Sequence, residues 1–246
     1  MSVAAPGTPP ILLDLGTGLL GYAKTFDGPF DGVMLLTHLH WDHVQGLPFF
    51  SPLLRPGANA HIYGPPQEEG PLHDVLVSFV RPPFFPVTVD DLPGEVVVDE
   101  LDRASIEVGQ VLVTARRIPH PGPTNGYRID FGGASVAYIP DHQQPLDFSQ
   151  DPEVIELVSG VDLLIHDAQF TPAEFTAKSD WGHCTPRYAL EVAKAAGAKR
   201  LALFHHDPAH DDDQLEDIAA GLEGDAAELG VEVFLAVEGM TVQVGQ

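Results

Sequence analysis

The chain has 246 residues, 44% of them apolar, which supports a sizeable core and argues against disorder. Its 36 acidic and 12 basic residues give a formal charge of −24, and such a field opposes nucleic acid, whose binding depends on Lys and Arg at phosphates. There is no run of roughly eighteen apolar residues, no basic leader ahead of an apolar stretch and only one cysteine, Cys184, so the sequence reads as a cytoplasmic protein without a membrane span or an internal disulfide.

Residues 10–14 read as a short strand that ends at Asp14, before the turn Leu15-Gly16-Thr17-Gly18. Val33-Met34-Leu35-Leu36 reads as a buried strand. It runs straight into Thr37-His38-Leu39-His40-Trp41-Asp42-His43, where four candidate ligands have the spacing H-x-H-x-D-H. A helix is expected from Val44. Imidazole with carboxylate suits zinc, manganese or iron. So short a segment cannot bring His38, His40, Asp42 and His43 all onto one ion, so two ions are expected, with further donors from elsewhere.

Residues 60–63 form a strand in which His61 is structural, and 72–80 form a helix with His73 on its polar side. Residues 81–87, rich in proline, are expected to be a stiff extended loop. Strands follow at 96–98, 111–115, 127–131 and 135–139, with a hairpin turn at 131–134. The second half alternates helices near 152–158, 172–177, 185–196 and 211–229 with strands at 161–165, 201–204, 231–235 and 240–242. Thr185-Pro186 has the form of a helix start. No linker divides the chain, which reads as one domain over 1–246.

Strand ends supply the missing donors: His120, Asp141, His166, Asp167, His205 and His206. His183 precedes a helix start.

In this order the motifs resemble the metallo-β-lactamase superfamily over nearly the whole chain. Asp14-Leu15-Gly16-Thr17-Gly18 resembles its first motif, the histidine-rich loop its second, His120 its third, Asp141 its fourth and His205 its last, with His206 as fallback. The resemblance implies an α/β (α+β) fold, an αββα sandwich of two mixed sheets with helices outside. It implies two divalent metal ions, zinc first and manganese or iron as alternatives. His38, His40 and His120 would hold one ion, Asp42, His43 and His205 the other, with Asp141 bridging. Asp14 would orient a ligand histidine.

Within the superfamily, His120 followed by Gly126-Tyr127-Arg128, His166-Asp167-Ala168 and Gly182-His183-Cys184-Thr185 resemble phosphodiesterases related to ribonuclease Z. Aspartate stands here for that group's glutamate, and Cys184 for its serine. The implied catalytic set is Asp42, His183 and Asp167: His183 protonates the leaving alkoxide, Asp167 supports it, and Asp42 also serves as a ligand. No basic arm for tRNA is visible, and the charge is acidic. The expected substrate is therefore a small anionic phosphodiester, linear or cyclic, attacked by water that the metals activate. Further strands commonly precede the first motif in this group, so either the start codon is misplaced or the first sheet is truncated. The alternatives are ribonuclease Z-like RNA processing, a lactam or thioester hydrolase of the same fold, and a metal-binding module without turnover. A homodimer is left open.

Overall fold

The structure, a computed structural model, describes residues 1–245. Its chain divides into two compact units, Met1–Leu112 and Val113–Gln246.

The first unit is built on a mixed sheet of five strands in the order β1-β2-β3-β4-β5: β1 (Ser2–Val3), β2 (Ile11–Leu13), β3 (Asp31–Leu35), β4 (Asn59–Gly64) and β5 (Glu95–Glu100). β1 runs antiparallel to β2, and the other neighbours are parallel. Register places Leu13 beside Leu35, so β2 and β3 end together and deliver Asp14 and the 37–43 loop to one edge. In open sheets such strand ends are where ligands bind. Two short helices, α1 (Gly18–Tyr22) and α2 (Trp41–Val44), follow these strands. In α3 (Leu72–Phe79) the four-residue spacing of Leu72 and Leu76 buries one face. Phe26, Phe30 and Phe50 meet edge to face under the sheet. Residues 81–87 differ from expectation. Phe84 and Phe85 both donate backbone bonds to Arg81, which makes a turn rather than an extended run; Phe85 packs on Phe49 while Phe84 points to solvent. β6 (Ser105–Val108) follows.

The boundary falls within β7 (Val111–Arg117). Strands of the second unit run β12-β11-β10-β9-β8-β7, where β8 is Asn125–Phe131, β9 Ala134–Ile139, β10 Leu163–Asp167, β11 Arg200–Phe204 and β12 Glu232–Leu235. β8 and β9 form the expected antiparallel hairpin; β9, β10, β11 and β12 run parallel to one another, so this sheet is also mixed. Four helices accompany it: α4 (Pro152–Val158), α5 (Pro172–Lys178), α6 (Pro186–Ala196) and α7 (Asp212–Leu229). Asp151, Thr171, Thr185 and Asp211 cap them with side-chain oxygens, as short polar residues do at helix starts. Tyr188, Leu190, Val192 and Ala193 of α6 are fully buried in a core with Leu164, Leu201 and Leu203. Residues 240–242, expected as a strand, form none. Among the described residues no helix is long and apolar enough to cross a membrane.

Candidate metal and catalytic residues

In the first unit the apolar strand β3 ends at Leu35, and the chain turns through Thr37 into the histidine loop. Asp14, 6% exposed and at φ 59°, is the hub beneath that loop. Its Oδ1 accepts the Thr37 backbone N–H at 2.7 Å, the Thr37 hydroxyl donates to the carboxylate at 2.8 Å, and His43 Nδ1 donates to Oδ2 at 2.8 Å. The Thr37 hydroxyl in turn lies 3.1 Å from His38 Nδ1. With its proton given to Asp14, the hydroxyl can only accept there, so His38 Nδ1 is the donor. The rings of His38 and His40 stand 4.5 Å apart, and those of His38 and His43 4.2 Å. Asp42 Oδ2 lies 3.2 Å from His43 Nε2. Gly16 lets the loop close in, since a Cβ there would strike the Asp42 carbonyl. The four loop residues singled out by spacing are thus gathered on one short segment, and Asp14 reaches His43 as expected of an orienting carboxylate.

In the second unit five segments contribute. Asp141 follows β9, Asp167 ends β10 and His205 follows β11, three neighbouring parallel strands that release their ends on one side. Asp141 is 1% exposed; its Oδ2 lies 3.7 Å from His120 Nε2 and its Oδ1 3.5 Å from His205 Nε2. Those gaps exceed a good hydrogen bond. They suit two donors that each sit about 2.0–2.2 Å from a shared ion. Asp141, His183 and His205 each offer an atom within 4.8 Å of the others. His120 Nδ1 donates to the Gly182 carbonyl at 2.7 Å, and His205 Nδ1 donates to Gln169 Oε1 at 3.2 Å.

One chemical pattern runs through both clusters. His38, His43, His120 and His205 each give Nδ1–H to an oxygen, which puts the lone pair of the neutral ring on Nε2. Metal-binding histidines are oriented in this way. The donor set of imidazole nitrogens and carboxylates therefore fits divalent zinc, manganese or iron.

His183 also gives up its Nδ1–H, to a carboxylate. Its Nδ1 donates to Asp167 Oδ2 at 2.9 Å, its ring stacks on His205 with centroids 5.0 Å apart, and Phe170 meets it edge-on. Asp167 is fully buried, and its Oδ2 also accepts the His142 backbone N–H at 2.9 Å. With Nδ1 committed to a carboxylate, Nε2 is the atom through which His183 meets anything else.

His166, expected as a strand-end donor, is fully enclosed and serves structure instead. Its Nδ1 donates to the Asp167 carbonyl at 2.8 Å, so its Nε2 must accept from His142 Nδ1 at 2.9 Å. Burial, with His166 and His120 nearby, holds His142 well below the ordinary histidine range. Cys184, where the resemblance has serine, donates its thiol to the same Asp167 carbonyl, and burial pushes that thiol far above its ordinary value. Arg128 pairs with Asp130 and donates to the carbonyls of Leu157 and Ser159 at the end of α4, which is a structural role. His61 pairs with Asp99 and stacks on Tyr63, as a structural residue does. His142, Gln143, Gln144 and Gln169 were not legible as part of this cluster. For His142 the one available signal was its place after Asp141, and for the glutamines there was none.

A family model described as a β-lactamase superfamily domain matches residues 11–206. An uncharacterised protein of Mycobacterium tuberculosis is 30% identical over 212 residues, covering 83% of this chain and 72% of its own length. A ribonuclease Z of Myxococcus xanthus is 27% identical over 274 residues, covering 95% of this chain and 88% of its own. A crystal structure described as a new diphosphatase from the PhnP family superposes with a TM-score of 0.72 at 21% identity, covering 98% of this chain and 82% of that one. At that identity the likeness speaks for the fold.

Proposed function

The chain belongs to the β-lactamase superfamily, in its metallo-β-lactamase fold, and from that membership we propose that it is a metal-dependent hydrolase of a small phosphodiester, linear or cyclic. The observation that carries the reading is the Asp167–His183 pair, bonded at 2.9 Å beside Asp141 and His205. A lactam or thioester hydrolase has no need of such a carboxylate-backed imidazole, whereas an alkoxide leaving from phosphorus does.

On the family resemblance, His38, His40 and His120 would hold one divalent ion and Asp42, His43 and His205 another, with Asp141 contributing to both. When bound, such ions, zinc by preference, would supply positive charge and a water acidic enough to attack near neutral pH. The chain's own residues do the rest. Asp14, Thr37, the Gly182 carbonyl and Gln169 hold Nδ1–H of four histidines, so the lone pair of each neutral ring lies on Nε2. Asp167 holds His183 by Nδ1, so the proton it delivers comes from Nε2 and goes to the departing oxygen. Asp167 stabilises the charged ring before that transfer.

RNA processing of the ribonuclease Z kind is the second reading, favoured by the name of the Myxococcus relative. The net charge of −24 weighs against it, because a net negative charge opposes the approach of a long polyanion. The test is elemental analysis of chelator-free protein, then a panel of cyclic and linear diesters, a precursor tRNA and a lactam. The proposal expects about two ions per chain and turnover of the small diesters. Fewer than about one ion after reconstitution, or turnover of the RNA or the lactam alone, would overturn it.

A further inference from the structure

After Asp141 the chain reads His142-Gln143-Gln144, and the proposed chemistry uses neither glutamine. Yet the Gln143 side chain is fully engaged. Its Nε2 donates to the Ser179 carbonyl at 2.7 Å and to the Gln144 carbonyl at 2.9 Å, and its Oε1 accepts the Gly182 N–H at 2.8 Å. The amide has one sensible orientation, because a flip would set its oxygen against two carbonyls. The backbone N–H of Gln143 donates to Pro119, directly before His120, at 2.7 Å. One residue thus joins the segment of Asp141, the segment of His120 and the loop of His183.

Gly182 is the pivot. Its φ is +96°, and a Cβ there would lie 2.6 Å from both Cε1 and Nδ1 of the His120 ring. Its N–H is gripped by Gln143, while its carbonyl accepts His120 Nδ1–H at 2.7 Å. The peptide on either side of this glycine therefore passes the hold of Gln143 on to His120. Gln144 acts elsewhere: its Oε1 accepts the Thr185 N–H at 3.0 Å and hydroxyl at 2.8 Å, and its N–H donates to the His183 carbonyl.

We propose that Gln143 is a positioning residue: by fixing the Gly182 peptide it holds His120 as the Nδ1–H tautomer, with Nε2 presented for a metal, and sets the loop from which His183 acts. The purpose of that positioning rests on the function proposed above, but the chain of contacts does not. An ordinary loop anchor would contribute stability and leave the His120 tautomer alone, so the two roles part experimentally.

The experiment compares wild type with Gln143→Met and Gln144→Met in the full chain, and takes Gln143→Asn as a second probe should the methionine variant fail to fold. Ring nitrogen NMR of metal-stripped protein, with His120 assigned by loss of its signal in His120→Gln, reads the tautomer directly. Zinc titration against a competing chelator reads the consequence. Gln143→Met should turn the single Nδ1–H signal of His120 into a mixture and weaken zinc by about 10–100-fold. Gln144→Met should lower the melting temperature yet leave the His120 signal as in wild type. An unchanged His120 signal in both Gln143 variants, or an equal change in Gln144→Met, overturns the proposal. Should wild type bind no zinc while His120 still responds to Gln143→Met, the positioning stands and the metal reading fails; zinc binding with an unresponsive His120 is the reverse result.

Discussion

In the first unit the candidate ligands His38, His40, Asp42 and His43 come from one loop, and a single carboxylate, Asp14, braces it from below. In the second unit His120, Asp141, His183 and His205 come from separate loops, and the bracing is shared among Gly182, Gln169, Asp167 and Gln143. A contiguous cluster needs one anchor, because covalent geometry supplies the remaining order. A dispersed cluster needs an anchor for each contributing segment, since nothing else fixes one loop against the next. The difference predicts that damage in the first unit is concentrated at few residues and in the second unit is spread over many.

The largest effect is expected where the contiguous loop loses a ligand. Asp42 is more than half exposed as a side chain, so Asp42→Ala should leave the fold intact, as circular dichroism can verify. It should weaken one ion and lower turnover by roughly 10²-fold or more. Unchanged turnover at full metal occupancy would make Asp42 a bystander.

A smaller loss of function, joined to a loss of stability, is expected at the single anchor. Asp14→Ala leaves the Thr37 N–H and hydroxyl and the His43 Nδ1–H without their buried acceptor. Each such group costs on the order of 1–3 kcal/mol, and an orienting partner of this sort changes metal affinity by about 10–100-fold. Denaturant unfolding and zinc titration measure the two parts separately. If Asp14→Ala binds zinc as wild type does, the first loop does not depend on its brace.

The smallest effect lies outside both clusters. His73 donates to Asp74 and Asp90, and these bonds raise its pKa above the ordinary 6.5. Because the folded value is the higher one, its stabilisation is fully present below 6.5 and is lost as pH climbs through the raised folded value. His73→Gln should therefore lower stability slightly at about pH 6 and leave it unchanged at about pH 9, with the size limited by solvent screening. Equal losses at both pH values would show that packing, not charge, is what His73 contributes.

The same contrast governs what could be read from the sequence. The first cluster was legible because its ligands sit at fixed short spacing behind an apolar strand, and Asp14 ends the strand that register places beside it. Asp141, Asp167 and His205 were legible as polar residues at the ends of apolar runs. His166 shared that signal and turned out to be internal, since alternation along β10 aims it at His142 instead. The hairpin at Gly132-Gly133 and the start of α6 at Thr185 followed from local chemistry alone. Residues 240–242 had an apolar pattern, but a strand exists only with a neighbour to bond, and no local pattern reports that. Gln143 was invisible for a similar reason: it reaches residues 36 and 39 positions along the chain, and nothing in a glutamine's spacing records such partners.

The central claim, a phosphodiester hydrolase whose leaving group is protonated through the Asp167–His183 pair, is tested most directly by His183→Ala at two substrates. Metal content is measured first, because His183 is not among the seven proposed ligands and both ions should remain. An alkyl diester, whose alkoxide is strongly basic, should then slow by about 10²-fold or more, while a nitrophenyl diester, whose phenolate leaves unaided, should slow far less. Equal slowing of both substrates with the metals retained would contradict the account and leave His183 a residue that positions substrate or caps its loop.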